Sequence, residues 1–196
     1  MKKLSVLFAG AAVALSLGLA GCGGASPEAQ ITKDVEASFD ELAQNKSDIA
    51  DEIEDNAKDQ LDLLGVDAAE FTDSLMEGMD AKVTSVEVND AKDGATAHVV
   101  VSGKNMADLA TDYQAKYEEK LAGLDPETTS LDDILKMSGD LLMECLDEQK
   151  PQEHSVDLTY KKDKDGEWEV DEAQAKSVLA DVLLGTAKDA GDTASK

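Results

Sequence analysis

Few residues in this chain have types and spacings that could do chemistry. His98 and His154 both lie in stretches whose residues alternate in the manner of strands. If those strands share one sheet, the two imidazoles come near each other, and with a carboxylate they could bind a metal or exchange protons near neutral pH. A histidine on a strand is also an ordinary half-buried or surface residue, and no ligand spacing such as H-x3-H accompanies either one. Tyr160 and Trp168 form a second candidate, because the same local strand pair carries both and each has a polar tip that could orient a ligand in an apolar pocket. Residues of that kind also simply fill cores. There is no G-x-S-x-G elbow for a serine hydrolase, and no G-x-G-x-x-G or Walker loop for a nucleotide. The sequence therefore points to a non-enzymatic protein, with catalytic residues, metal ligands and cofactors all expected to be none.

One near-motif needs weighing. Asp163, Asp165, Gly166 and Glu172 fit positions three, five, six and twelve of an EF-hand calcium loop. Position one is Lys161, a cation where an anionic ligand is required, and the flanking residues alternate as strands where the motif needs helices. A hairpin turn accounts for the stretch better.

Cys22 is the exception to this sparse chemistry. Lys2 and Lys3 precede an uncharged run from Leu4 to Leu19, which ends in Leu19-Ala20-Gly21-Cys22. The run is shorter than the roughly 20 apolar residues of a membrane span and is interrupted by Gly10, Ser16 and Gly18, so it reads as a signal peptide. Leu19-Ala20-Gly21-Cys22 resembles the lipobox of bacterial lipoproteins. That resemblance implies cleavage between Gly21 and Cys22, a diacylglyceryl group on the Cys22 sulfur, and a new N-terminus at that cysteine. Two acyl chains hold a protein on a bilayer stably where one does not. The expected location is the extracytoplasmic face of the cell membrane, with the membrane itself as a partner through the lipid.

Charge narrows the remaining partners. All 18 basic residues are lysine, against 43 Asp and Glu. Once Lys2 and Lys3 leave with the signal, 16 lysines remain and the formal charge is −27. Nucleic acid is excluded as a partner, since phosphate binding needs a basic face. The absence of arginine removes the bidentate fork that suits anionic small molecules. With Cys22 lipidated, Cys145 has no partner for a disulfide. Leu131, Ile134, Leu135, Ser138, Leu141, Leu142 and Cys145 form a helical stripe, so Cys145 is expected to be a core residue.

The positioning elements follow from periodicity. Residues 1–21 are the signal peptide, 22–27 a lipidated tether, 28–184 one domain and 185–196 a disordered Gly/Ala/Thr/Asp/Lys tail. Pro27 to Leu64 is helix-rich, with a break near Asn45-Lys46-Ser47 and a C-cap at Gly65. Asp67-Ala-Ala-Glu70 opens a short helix carrying Phe71, Leu75 and Met79. A hairpin follows: Val83, Ser85 and Glu87 alternate with Thr84, Val86 and Val88, and Thr96 to Ser102 is rich in β-branched residues. Helices over about 106–121 and from the capping box at Ser130 up to Pro151 come next. His154, Val156, Leu158 and Tyr160 then share a strand face, with Trp168 and Val170 on the return strand and a last helix over about 171–184.

This order predicts an α+β fold: long N-terminal helices packed on an antiparallel sheet of about four strands built from two hairpins, with helices inserted between them and one C-terminal helix. The lipobox, the hairpin "VTSVEVND…ATAHVVVSG" followed by a helix, and the strand pair "VDLTYKKDKDGEWEVD" resemble small Gram-positive lipoproteins with a cystatin-like or nuclear-transport-factor-like domain, many of unknown function. The functional expectation is a lipid-anchored surface protein that binds a ligand or an envelope protein. Two alternatives stand beside it: a small-molecule enzyme or carrier with an apolar pocket, for which Tyr160, Trp168, His98 and His154 are the lining residues, and an acidic structural domain that binds divalent cations.

Overall fold

The computed structural model describes residues 25–187, apart from positions 45 and 126. Cys22, the signal segment and the cleavage position at Gly21 lie outside the described residues, as do tail residues 188–196. Helix α1 (Pro27–Gln44) begins where Ser26 accepts from the Ala29 N–H and Pro27 supplies a first-turn residue with no N–H to satisfy. Ile31, Val35 and Phe39 follow at spacings of four and put one face of α1 on the sheet. Helix α2 (Lys46–Leu64) ends at Gly65, whose φ of +68° suits a residue without Cβ. There the Val66 N–H bonds the Leu61 carbonyl and the Gly65 N–H bonds that of Asp62, the paired bonds of a Schellman cap.

Helix α3 (Ala68–Leu75) is capped by Asp67, which accepts from the Ala69 and Glu70 N–H groups. It stops before Met79, which sequence spacing assigned to it. Gly78, at φ +75°, turns the chain there, so Met79 belongs to the approach to the sheet. Strands β1 (Asp80–Val88) and β2 (Gly94–Gly103) form the first hairpin; helices α4 (Met106–Ala122) and α5 (Leu131–Glu148) follow; strands β3 (Gln152–Lys162) and β4 (Trp168–Val170) form the second hairpin, and α6 (Glu172–Leu184) closes the order. The four strands lie in the order β1-β2-β3-β4, antiparallel throughout. The predicted α+β architecture is the observed one, with β2 and β3 paired across the inserted α4–α5 hairpin.

Strand β1 contains a bulge between Val83 and Ser85. Strict alternation would put Val83 on the opposite face from Val86 and Val88. The extra residue, Thr84, lets Ala81, Val83, Val86 and Val88 all reach the same core. Turning the later residues also sends Ser85 and Glu87 to the opposite face, beside His98.

Two apolar clusters result. One lies between the sheet and α1 and α6, with Ile31, Val35, Ala97, Val99, Val101, Leu158, Tyr160 and Val182 buried. The other lies among α2 to α5, with Leu61, Val66, Phe71, Leu75, Leu109, Leu141, Cys145 and Leu146 buried. Helix α6 joins them, because Val182 enters the first cluster while Leu183 packs on the second. Gly185 to Ala187, which composition assigned to the tail, are held against this helix: Thr186 and Ala187 donate their N–H groups to the Asp181 carbonyl.

Candidate functional site

The structure places His98 and His154 on neighbouring strands but on opposite faces of the sheet. His98 pairs with Asp157 across β2 and β3, and His154 pairs with Val101. Successive strand residues face opposite ways, so His154 points with Val156 and Leu158 into the core at 2% exposure, while His98 points with Asp157 to the outer face. The expectation that the two imidazoles meet is overturned by this parity.

Tyr160 and Trp168 share the inner face and pack into the sheet–helix core. Tyr160 is buried, and its O–H donates to Asp34 Oδ2 of α1 at 2.9 Å. Burial holds the Asp34 carboxyl above its ordinary range, a rise that the Tyr160 hydrogen bond opposes. Burial, and then the adjacent Asp34, likewise raise the Tyr160 phenol. Trp168 packs half-buried on the same cluster, with Lys162 Nζ 4.9 Å from its ring centroid. These residues fill the sheet–helix core, and the four-residue pocket of His98, His154, Tyr160 and Trp168 does not form.

Asp163 to Gly166 makes the β3–β4 turn. Asp163 Oδ1 accepts from the Asp165 and Glu167 N–H groups, and Gly166 adopts φ +84°. Asp163 is thus spent on its own backbone, as the hairpin reading requires. Cys145 is buried in the second cluster, and burial raises its thiol above the ordinary value. That environment suits a packing residue and not a nucleophile. Among the described residues, no group of three or more His, Cys, Asp and Glu side chains is arranged to hold a metal ion.

What the sequence did not reveal is the setting of His98. Its Nδ1 lies 2.7 Å from Asp157 Oδ1, and its Nε2 lies 3.8 Å from Glu87 Oε1. Asp157 arrives from β3 by register and Glu87 from β1 through the Thr84 bulge, so three strands supply the cluster. A polar junction between the two cores was also hidden. Lys104, 1% exposed, donates to Glu77 at 2.9 Å, and Gln149 Nε2 donates to the carbonyl of Asn105, the residue that caps α4. Strand parity was the available signal for His98, whereas Lys104 and Gln149 gave none locally.

Among the described residues, clefts open on the surface, two of which bear on the candidate residues. One, of about 510 Å³, lies between α4 and α5 against Lys116, Lys120, Leu124, Met137 and Glu144. Its lysines are paired: Lys120 donates to Glu144 at 2.8 Å and Lys116 to Glu148, and the Lys120 bond lowers the Glu144 carboxyl. Leu121, near the end of α4, and Leu131, at the start of α5, are 42% and 69% exposed. The other cleft, of about 270 Å³, lies between α1 and β1 and carries Glu36, Asp40 and Asp80.

No protein-family model matches the chain, and no curated protein matches it. Among solved structures, it is similar to a candidate lipoprotein, ycdA, from Bacillus subtilis, at 19% identity and a TM-score of 0.41, over 70% of this chain and 47% of that one. The chain thus spans about half the length of that protein. No helix among the described residues is long and apolar enough to cross a membrane.

Proposed function

We propose that the chain is a lipoprotein of the Gram-positive type, held on the extracytoplasmic face of the cell membrane through a diacylglyceryl group on Cys22, and that it acts by binding an envelope protein without catalysis. The observation that carries this reading is the start of α1 at Pro27, capped by Ser26. Only Gly23, Gly24, Ala25 and Ser26 separate Cys22 from the first helical residue. The five Cα steps from Cys22 to Pro27 span at most about 18 Å, so a lipid on Cys22 keeps the folded domain close to the bilayer surface, where its partners are other envelope components. A long N-terminal helix lying across an antiparallel sheet supports the cystatin-like resemblance.

A protein partner is favoured over a small ligand because Tyr160, Trp168 and His154 are committed to the core, while Leu121 and Leu131 stand exposed at adjacent ends of α4 and α5. Leu121 in the last turn of α4 and Leu131 at the start of α5 offer apolar area on which a protein partner could pack. The test labels cells with radioactive palmitate and fractionates them. The wild type takes up label and sediments with membranes; Cys22→Ala does neither and is released. A wild-type chain that stays unlabelled and soluble overturns the anchoring. A photo-crosslinker at position 131 captures a discrete envelope protein that the same group at Asp90 does not, and equal capture at both positions overturns the partner surface.

A further inference from the structure

We propose that the corner of the sheet formed by the β1–β2 and β3–β4 turns is the face that the anchored domain turns to the bilayer, where Lys92, Lys161 and Lys164 meet anionic lipid headgroups. The inference rests on the anchoring reading and deepens it, by naming the surface that the lipid on Cys22 brings to the membrane. Lys161-Lys162-Asp163-Lys164 holds the one pair of adjacent lysines after Cys22, in a chain where acidic residues outnumber lysines 43 to 18. These three lysines and Lys92 are exposed. The two turns meet, since the Lys162 N–H donates to the Asp93 carbonyl at 2.9 Å and Lys161 pairs with Gly94. Elsewhere Lys58, Lys104, Lys116 and Lys120 pair with carboxylates. Among the described residues, none of Lys92, Lys161, Lys162 and Lys164 forms an ion pair; Lys162 lies over the Trp168 ring instead. Their charge is open to an anion from outside.

Helix α1 brings the tether to this corner. Asp34 bonds Tyr160, which is level with Ala95 and Val170, whereas Glu36, Phe39 and Asp40 stand beside Met79, Asp80 and Ala81 at the far end of β1. The helix also touches β4. It therefore crosses the sheet from the β4 side towards the start of β1, and Pro27 lies at the end of the helix nearer the β3–β4 turn. Cys22 is at most about 18 Å further along the chain. The corner also carries acids. Asp93 accepts from Asn89 Nδ2, and Asp163 accepts from N–H groups of its own turn, while Asp90, Asp165 and Glu167 offset the lysines. Such a surface is too weakly charged to hold a membrane by itself. It acts once the lipid has raised its effective concentration at the bilayer, and there it fixes how the domain sits.

Trp168 is the chain's one tryptophan and packs half-buried at this corner, so its fluorescence reports the contact directly. The test reconstitutes the lipidated chain into vesicles of phosphatidylcholine, or of phosphatidylcholine and phosphatidylglycerol in equal parts, each with a nitroxide-bearing headgroup that quenches tryptophan at close range. Quenching is expected to be about twofold or more stronger on the anionic vesicles, and to fall to the neutral-vesicle level in molar salt. Lys92→Asn, Lys161→Gln and Lys164→Gln together are expected to abolish the difference, each lysine near an anionic surface favouring the docked state roughly 5-fold. Asn suits the φ of +59° at position 92, and Lys162 is kept so that Trp168 retains its own neighbour. Lys116→Gln with Lys120→Gln, on α4, leaves quenching unchanged. Circular dichroism checks the fold, and flotation of every variant checks the anchor. A chain that does not float with vesicles overturns the anchoring and this inference with it. A chain that floats but is quenched equally on both vesicles, or whose quenching survives the triple substitution, overturns this inference and leaves the anchoring standing.

Discussion

Asp34 and Tyr160 tie the first helix to the sheet through one hydrogen bond that is partly withdrawn from water. Burial raises the Asp34 carboxyl from its ordinary 3.8. As pH rises from 3.8 through the raised value, the folded state therefore holds more proton than the unfolded one, and this group's contribution to stability declines. At neutral pH the half-buried carboxylate costs stability, and the Tyr160 donor limits the cost. Tyr160→Phe is expected to destabilise by about 1–2 kcal/mol, since it strands a buried charge. Asp34→Asn keeps an acceptor for the phenol without the charge; it is expected to be neutral or stabilising at pH 7 and to flatten the pH dependence above about pH 4. Urea denaturation at pH 4 and pH 7 checks both, and a loss at pH 7 for Asp34→Asn equal to that of Tyr160→Phe refutes the assignment.

The elements were largely legible because their ends are chemically marked. Ser130 and Asp133 form the reciprocal capping box that their spacing predicts: the Asp133 N–H donates to Ser130 Oγ and the Ser130 N–H to Asp133 Oδ2. Ser130→Ala is expected to cost about 1 kcal/mol, read as a fall in Tm of roughly 2–4 °C for a domain of this size. Where the sequence misled, the cause was long range. The bulge at Thr84 answers to the packing of α1 on β1, which local alternation does not encode. Strand parity alone already separated the histidines, since His98 sits between Ala97 and Val99 while His154 keeps step with Val156 and Leu158. The Asp157 partner of His98, by contrast, depended on the β2–β3 register across two inserted helices. Gly139 shows the same limit. In an isolated helix, Gly→Ala stabilises by up to about 1 kcal/mol, but here an added Cβ would lie 2.0 Å from the Leu64 carbonyl oxygen, where α2 ends against α5. Gly139→Ala is therefore expected to destabilise, by about 1–3 kcal/mol or more. An increase in Tm would mean that α2 and α5 do not pack so closely.

At the scale of the whole molecule, the two clusters are held in one unit through Val182 and Leu183, against a charge of −27 on the chain from Cys22 onward. Like charges at this density repel most strongly when the chain is compact, so folding works against the molecule's own field. Lysines offset part of it locally, as Lys116 and Lys120 do beside Glu144 and Glu148, but exposed pairs of this kind contribute little. Salt screens interactions beyond about 10 Å at 0.1 M and about 3 Å at 1 M. Added NaCl is therefore expected to raise Tm progressively, by several degrees between low salt and molar salt. General screening and cation binding separate by ion type. Choline chloride should match NaCl at equal ionic strength if the acidity acts only through repulsion, because a bulky organic cation screens without coordinating carboxylates. A rise in Tm with millimolar calcium far beyond that of NaCl at matched ionic strength would instead mean that carboxylates on the folded surface gather an ion the unfolded chain does not. The acidic surface would then be a binding surface in its own right.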